Sequence, residues 1–177
     1  MVATVLIGGP IAVGKSTLAA GIAESTSAAV VGARRVLEET CGLDSATRIE
    51  LQERGAIIDA ETQGKWLADY ITSTVDPRVA VVIDSVRTVA QAEHIRRDRA
   101  GVIVVYLDAP AHVRAARYRA AGDPVKVKLE FSKAMKHPTE IEVRSVASIA
   151  DVKVDTTNLD PEGVLIRVMQ ALRSLGV

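Results

Sequence analysis

The chain has 177 residues, of which 48% are hydrophobic and 25% are charged, and its 22 basic and 22 acidic side chains leave no formal net charge. The length fits one domain, and this balance excludes a disordered chain. No apolar run approaches the roughly 20 residues of a membrane helix, and the opening apolar stretch lacks the basic flank of a signal peptide. The single cysteine excludes an intramolecular disulfide. From these three features we expect a cytoplasmic protein.

Short β-branched runs recur along the chain and predict strands that are buried on both faces of a parallel sheet. They are Val2–Ile7, Ala29–Val31, Val79–Ile83, Val102–Leu107 and Val152–Val154. Apolar residues with helical spacing lie between and after them, in Thr17–Ser25, Thr62–Thr72, Val89–Arg97, His112–Ala121 and Glu162–Leu175. This alternation predicts an α/β fold, a three-layer sandwich with a five-stranded parallel sheet.

Two segments interrupt the alternation, and we interpret both as insertions in one domain that spans residues 1–177. Val36–Glu53 is polar and helical in character, and we assign it to an acceptor-binding region over residues 32–75. The second segment is Asp123–Arg144, and residues 112–144 hold eight Lys or Arg against four Asp or Glu. It fits either a solvated helical hairpin or a basic lid, residues 122–145, that covers phosphates.

A phosphate-binding motif joins the first predicted strand to the first predicted helix. Residues 9–16, Gly-Pro-Ile-Ala-Val-Gly-Lys-Ser, match G-x-x-x-x-G-K-[ST] in full. Its two glycines allow the backbone to turn its N–H groups towards phosphate oxygens, and the helix N-terminus adds partial positive charge. We expect Lys15 to reach the β- and γ-phosphates of ATP and the Ser16 hydroxyl to ligate Mg²⁺. The predicted nucleotide site comprises Gly9, Ala12, Val13, Gly14, Lys15, Ser16 and Thr17.

Asp84 and Arg87 follow the third predicted strand. A carboxylate at the end of a buried strand, beside a P-loop, is where a Mg²⁺-associated Asp belongs, so Asp84 is both a metal ligand and a catalytic candidate. Arg87 would reach the same edge of the sheet and bind a phosphate. The alternative is that Asp84 only caps the helix that follows.

Arg114 and Arg117 lie three residues apart on the helix predicted after the fourth strand, and therefore share a face. Two guanidinium groups in this arrangement could clamp a triphosphate or form a solvated stripe. We place both in the ATP site and count Arg117 with Lys15 and Asp84 among the catalytic candidates.

In this order the motifs resemble the P-loop kinases of nucleotides and related small molecules, especially the adenylate kinase, dephospho-CoA kinase and phage deoxynucleoside monophosphate kinase group. Residues 84–87, Asp-Ser-Val-Arg, look like that group's D-G-x-R segment, and residues 48–55 followed by Trp66 are similar to its R-x-x-L-Q-x-x-G…W acceptor segment. Residues 150–155 resemble a strand whose surroundings contact adenine in relatives. The resemblance implies a nucleotide-kinase-like fold with a helical lid, ATP and Mg²⁺ as cofactors, and an acceptor held by Arg35, Arg48, Gln52 and Arg87.

One departure from that group concerns the acceptor. Relatives often carry an Asp shortly after the second strand, where this chain has Gly-Ala-Arg-Arg at residues 32–35. The two arginines indicate an anionic acceptor and leave the usual base missing. A phosphate acceptor needs no strong base, so we predict transfer of the γ-phosphoryl group of ATP to a nucleoside monophosphate or dephospho-CoA type of molecule.

Two other functions stay open. A kinase for a hydroxyl of nucleic acid, such as a modified base in phage DNA, fits Arg34, Arg35 and the basic segment, but the zero net charge and 3% aromatic residues disfavour it. A nucleotide-dependent switch would usually carry the motif N-K-x-D, which the sequence lacks. We expect a monomer or homodimer with a small-molecule acceptor and no membrane partner, and we assign no role to residues 137–140.

Overall fold

Parallel strands form the frame of the molecule. The computed structural model describes residues 3–42, 48–121 and 131–176, without the side chains of residues 48 and 49. One five-stranded sheet has the order β2-β3-β1-β4-β5, and every pairing is parallel. The strands are β1 (Thr4–Gly8), β2 (Ala29–Gly32), β3 (Val81–Val86), β4 (Val102–Asp108) and β5 (Val152–Asp155).

Helices connect and cover these strands, and a short 3-10 helix, Val143–Ile149, precedes β5. Residues 131–136 are also helical. None of the helices in the described ranges is long and apolar enough to cross a membrane. The helices are α1 (Lys15–Thr26), α2 (Ala33–Cys41), α3 (Arg48–Thr62), α4 (Trp66–Thr74), α5 (Val89–Asp98), α6 (Ala111–Ala120), α7 (Pro138–Glu142) and α8 (Pro161–Ser174).

Two apolar clusters, one on each face of the sheet, explain the uninterrupted apolar strands. Successive side chains of a strand point to opposite faces, so Leu6 joins one cluster while Val5 and Ile7 join the other. The Leu6 cluster packs α2, α4 and α5 against the sheet, and the Val5 cluster packs α1 and α8. The predicted three-layer α/β sandwich with a parallel sheet is confirmed.

The strand order positions the site. Because β1 lies between β3 and β4, the loop after β1 emerges beside the carboxyl ends of both neighbours, where ligands bind in open α/β sheets. Ile7 is paired with Asp84, and the register then shifts so that Gly8 is paired with Val86. The shift leaves Ser85 as an extra residue at the edge of the crevice.

The helical boundaries of residues 33–74 differ from those predicted. The polar segment Val36–Glu53 contributes to two helices, because α2 ends at Gly42, whose left-handed φ of 63° lets its N–H bond the Glu38 carbonyl. The helix predicted to begin at Thr62 begins at Trp66 instead. Gln63 and Gly64, with φ angles of 53° and 79°, separate α3 from α4. Of the predicted lid, residues 122–130 lie outside the described residues.

Candidate active site at the P-loop

The loop that joins β1 to α1 has the geometry of an anion cradle. Gly9, Ala12 and Gly14 have φ angles of 138°, 62° and 101°, which curl the backbone. A Cβ atom at Gly9 would lie 2.3 Å from the carbonyl oxygen of Leu107, so only glycine fits there. The first turn of α1 contains no acidic residue, and its cap residue makes no side-chain hydrogen bond. Its N–H groups therefore suit a bound phosphate.

Lys15 lies across the mouth of this loop. Its Nζ donates to the carbonyl oxygens of Gly9 (2.8 Å) and Pro10 (2.9 Å). The same side chain lines a cavity together with Ser16 and Asp84. The ammonium group is thus held at the anion cradle, where a short shift would exchange loop carbonyls for phosphate oxygens.

Two cavities flank the P-loop and share Ala12, Gly14 and Thr17. The first, of about 460 Å³, is bounded by α1, α6, α8 and the loop before α8, and is mainly apolar. The second, of about 330 Å³, lies towards β3, α2 and α7, and half of its surface is polar. We call them the nucleoside cavity and the acceptor cavity, after the substrates that we propose for them below. An apolar pocket and a polar pocket that meet at one phosphate cradle can hold two substrates in line.

Arg117 lies in the nucleoside cavity. Its guanidinium donates to the Thr156 hydroxyl (2.8 Å) and to the Thr156 carbonyl (2.6 Å), which ties α6 to the loop after β5. This loop is the region expected to surround adenine. The structure places Arg117 beside the nucleoside end, away from the acceptor cavity.

Arg114 does not reach either cavity. Only 4% of its surface is exposed, and it donates to the carbonyl oxygens of Ala109 (2.9 Å) and Ile11 (3.3 Å) and to the Met135 sulfur (3.1 Å). Burial lowers the pKa of Arg114, and the charge of Glu140 opposes that shift. The prediction that Arg114 contacts ATP is corrected here, because its donors hold the P-loop from behind.

Asp84 and Ser85 form the far wall of the acceptor cavity. The Ser85 hydroxyl donates to Asp84 Oδ1 (3.0 Å), and Ser85 has a left-handed φ of 77°. This conformation costs a non-glycine residue about 1–2 kcal/mol, and such strain is typical of functional sites. Thr88, not Asp84, caps α5 by accepting from the Gln91 N–H (3.1 Å). The alternative capping role of Asp84 is therefore wrong.

The donor set fits a magnesium ion. Ser16 and Asp84 line the same cavity as Lys15, and Mg²⁺ in nucleotide sites takes a hydroxyl and one or two carboxylates together with phosphate oxygens. These are hard oxygen ligands, which Mg²⁺ prefers to nitrogen or sulfur.

A small pocket with room for about one water adjoins the acceptor cavity, and Leu37, Leu51, Arg87 and Thr139 line both. Gln52, which is only 2% exposed, also lines the small pocket, and its Oε1 is enclosed and has no hydrogen-bond partner among the described residues. A buried amide oxygen without a partner costs about 1–3 kcal/mol, so its position requires an explanation.

Asp59 lines the same small pocket as Gln52. It accepts from Trp66 Nε1 (2.6 Å) and from Gln91 Nε2 (2.8 Å). Burial raises the pKa of Asp59, while these two hydrogen bonds and the charge of Arg87 lower it. Trp66 is buried in the apolar core, as its helical stripe predicts, and its ring nitrogen anchors this carboxylate.

The two arginines that follow β2, Arg34 and Arg35, lie in different surroundings. Arg34 lines the acceptor cavity and is paired with Glu38 (2.8 Å). Arg35 is 81% exposed at its side chain and is paired with Glu39 (2.7 Å). Of the two, only Arg34 lines this cavity, because successive residues of a helix point in different directions, and the structure does not bring the predicted ligand Arg35 to it. The side chain of Arg48 lies outside the described residues.

Sequence reasoning missed Glu140. It lies on α7, is 7% exposed, and lines the acceptor cavity. Its Oε2 accepts from the backbone N–H of Ile11 in the P-loop at 2.9 Å. The signal available in the sequence was Pro138, which begins a helix and places Glu140 in the first turn. Nothing in the sequence pattern indicates that this turn packs against a loop 129 residues earlier.

Comparisons with known proteins agree with this architecture. A family model described as an AAA domain matches residues 5–136. No curated protein sequence matches the chain. Among solved structures, shikimate kinase from Aquifex aeolicus has a TM-score of 0.66 at 18% identity, covering 98% of each chain.

Two further structures have the same fold. Shikimate kinase from Acinetobacter baumannii, in complex with shikimate, has a TM-score of 0.63 at 20% identity, covering 98% of this chain and 94% of its own. A gluconokinase from Sinorhizobium meliloti has a TM-score of 0.58 at 15% identity, with coverages of 98% and 93%. These structures confirm the fold that the resemblance to P-loop kinases predicts.

Proposed function

The chain belongs to the AAA domain family, and on that premise we propose that it is an ATP- and Mg²⁺-dependent kinase with a small-molecule acceptor. The observation that carries this proposal is the pair of cavities that meet at the P-loop, one apolar and one lined by Lys15, Asp84 and Arg87. A switch needs a nucleotide pocket alone, whereas a phosphotransferase needs a second pocket at the γ-phosphate end. Because this reaction would consume ATP, we also propose that the protein is cytoplasmic.

The residues divide the work of phosphoryl transfer. Gly9 to Thr17 would wrap the phosphates with backbone N–H groups, and Lys15 would offset the charge that develops as the γ-phosphoryl group moves. Ser16 and Asp84 would hold Mg²⁺, which neutralises phosphate charge when bound. Arg117 would orient the nucleoside end through the loop at Thr156. Catalysis of this kind depends mainly on positioning and electrostatics.

The acceptor that the cavity suits best is a small molecule with several hydroxyl groups. The cavity volume of about 330 Å³ is at the lower end for ligand sites and must also admit the γ-phosphate. Asp84 and Glu140 present carboxylate oxygens in it, and hydroxyl groups donate to such oxygens. Asp59 and Gln52 line the small pocket that adjoins it.

A nucleoside monophosphate or dephospho-CoA type of acceptor is the second candidate, supported by Arg34 and Arg87 in the same cavity. A nucleic-acid acceptor has less support. Arg34 and Arg35, which motivated it, are each paired with a glutamate one helical turn further along α2. Their charge is thereby offset on the protein surface.

Replacing Gln52 with methionine tests the role of the small pocket beside the acceptor cavity. We expect unfolding stability to stay within about 1 kcal/mol of wild type, or to rise, because the change keeps the volume and removes an unpartnered buried oxygen. We expect the KM values for the acceptor and for ATP to stay within about twofold of wild type, because Gln52 Oε1 is enclosed and its pocket has room for only about one water. Steady-state kinetics and denaturant unfolding measure both. A destabilised variant, or one with a strongly raised KM for the acceptor, would contradict this expectation.

The two neighbouring arginines provide a matched pair. We expect Arg34→Ala to raise the KM for the acceptor about three- to tenfold, because its guanidinium lines the acceptor cavity but is largely solvated. Arg35→Ala should leave both substrates' KM values unchanged, since that side chain points to solvent. The reverse pattern in steady-state kinetics would restore the assignment of Arg35.

The experiment that tests the proposed function is an acceptor screen with purified protein. ADP release is measured with shikimate, gluconate, simple sugars, nucleosides, nucleoside monophosphates and dephospho-CoA, and products are checked by mass spectrometry. We expect ADP release to depend on a hydroxylated small molecule. ATP binding without acceptor-dependent ADP release would favour a switch, and turnover confined to monophosphates would select the second candidate.

A further inference from the structure

Glu140 is a buried carboxylate at the junction of the P-loop and the acceptor cavity. Its Oε2 accepts from the Ile11 N–H at 2.9 Å, and this is the single hydrogen bond of its side chain within the described ranges. Glu140 Oε1 therefore accepts no hydrogen bond there, and it is absent from the fully enclosed atoms that lack a partner. Because Glu140 lines the acceptor cavity, this second oxygen is accessible to a ligand.

Glu140 and Arg114 both bond the main chain of one P-loop residue, Ile11, through the two peptide groups that flank its Cα atom. Glu140 accepts from the Ile11 N–H, while Arg114 donates to the Ile11 carbonyl at 3.3 Å. Arg114 is itself buried and fixed by the Ala109 carbonyl. The positive charge of Arg114 offsets the negative charge of Glu140 without an ion pair of 4.0 Å or less between them in the described structure. The carboxylate thus keeps a lone pair for the cavity.

The charge of Glu140 balances that of the buried Arg114, but this structural role does not require an oxygen that opens to the cavity. The hydrogen bond from the Ile11 N–H does not require one either, because a glutamine would accept it equally well. A role in the reaction accounts for the oxygen that faces the cavity. In a kinase, the acceptor hydroxyl must approach the γ-phosphorus from the side opposite the leaving ADP, which is the acceptor cavity that Glu140 lines.

Asp84 and Glu140 can then serve different purposes. Asp84 lines the cavity with Ser16 and forms with it the pair suited to Mg²⁺. Glu140 lies on α7 and is bonded to the third residue of the P-loop motif. Residues 32–35, Gly-Ala-Arg-Arg, contain no carboxylate, so the carboxylates that line the cavity, Asp84 and Glu140, are the candidates for a base towards a hydroxyl acceptor.

We propose that Glu140 is the general base that accepts the proton of the acceptor hydroxyl, an inference that rests on the proposed kinase function. The hydroxyl oxygen forms a bond to the γ-phosphorus while the bond from that phosphorus to the β,γ-bridging oxygen breaks, and ADP leaves with the bonding electrons. The hydroxyl hydrogen passes as a proton to Glu140 Oε1 and then to solvent. General-base catalysis of this kind contributes about 10²–10⁴-fold to the rate.

The rival explanation is that Glu140 occupies the cradle only while nucleotide is absent and competes with phosphate. The two explanations predict opposite results for the isosteric variant Glu140→Gln. If Glu140 is the general base, the variant should have a turnover number lowered about 10²-fold or more, and its affinity for the ATP analogue should stay within about threefold of wild type. If Glu140 only competes with phosphate, the variant should bind the analogue more tightly and its turnover should not fall.

The test combines turnover, titration calorimetry with a non-hydrolysable ATP analogue, and chemical rescue. Glu140→Gln should show the lowered turnover with retained affinity and a retained melting temperature. Glu140→Ala should regain turnover in a saturable manner with added formate, which replaces the missing carboxylate. The control Glu142→Gln, an exposed acid on the same helix, should match wild type.

The remaining outcomes overturn the inference in distinguishable ways. The proposal that Glu140 is the general base is rejected if Glu140→Gln has near-wild-type turnover. It is also rejected if the variant binds the analogue more tightly without losing turnover. Loss of turnover with loss of folding in both variants and no rescue by formate assigns Glu140 a structural role. If wild type binds the analogue but phosphorylates no hydroxylated acceptor, the proposed function itself fails before the variants are compared.

Discussion

Acceptor-dependent ADP release is expected to fall about 10³-fold when Lys15 is replaced by methionine. The Lys15 ammonium group lies at the mouth of the P-loop, bonded to the Gly9 and Pro10 carbonyls, and lines the cavity that contains Asp84. Removal of one preorganised charge from a phosphoryl-transfer site costs about 10²–10³ in rate, and methionine keeps most of the aliphatic stem. Coupled-assay kinetics at saturating ATP and acceptor measure the change.

The matched control is Lys65→Met. Lys65 is paired with Asp69 on the exposed surface of α4, and exposed pairs of this kind contribute little to stability. We expect this variant to retain wild-type kinetics. A Lys15 variant that folds normally and retains more than about a tenth of wild-type turnover would contradict the role assigned to the P-loop.

The largest effect on stability is expected from Gly9→Ala. The glycine has a φ of 138°, a region that other residues essentially avoid, and its new Cβ would lie 2.3 Å from the carbonyl oxygen of Leu107 in β4. Backbone strain of about 1–3 kcal/mol adds to a steric clash with the main chain of a central strand, so we expect a loss of about 3 kcal/mol or more. Denaturant unfolding measures it.

Gly14→Ala separates strain from the clash. Gly14 also has a positive φ, 101°, but a Cβ there would meet no atom within 4 Å. It should therefore cost only the backbone strain, about 1–2 kcal/mol. Equal losses for the two variants would show that the contact with Leu107 contributes nothing.

Patterns within one segment predicted the fold and the phosphate cradle. Continuous apolar strands require a sheet covered on both faces, and the glycine and lysine positions of residues 9–16 are dictated by the local backbone. The pairing of Asp160 with the Gly163 N–H at the start of α8 is of the same local kind. Interactions between residues that are close in sequence determine such features, so they can be predicted from the sequence.

Features that depend on distant segments were not predictable in this way. Arg114 and Arg117 share a helical face, yet one is buried behind the P-loop and the other opens to the nucleoside cavity, because the loops packed against α6 differ along its length. Likewise, the prediction of Arg35 as an acceptor ligand cannot take account of how α2 is rotated on the sheet, which brings Arg34 to the cavity instead. Glu140 meets Ile11 across 129 residues, a contact that no periodicity encodes.

The central claim is that ATP and a small-molecule acceptor meet at one P-loop. The most direct test is to quantify ADP, free phosphate and phosphorylated acceptor together in one reaction with wild type and with Lys15→Met. The account predicts ADP and phosphorylated acceptor in a one-to-one ratio, little free phosphate, and loss of both products in the variant. ADP matched by free phosphate at a rate independent of every acceptor would contradict it.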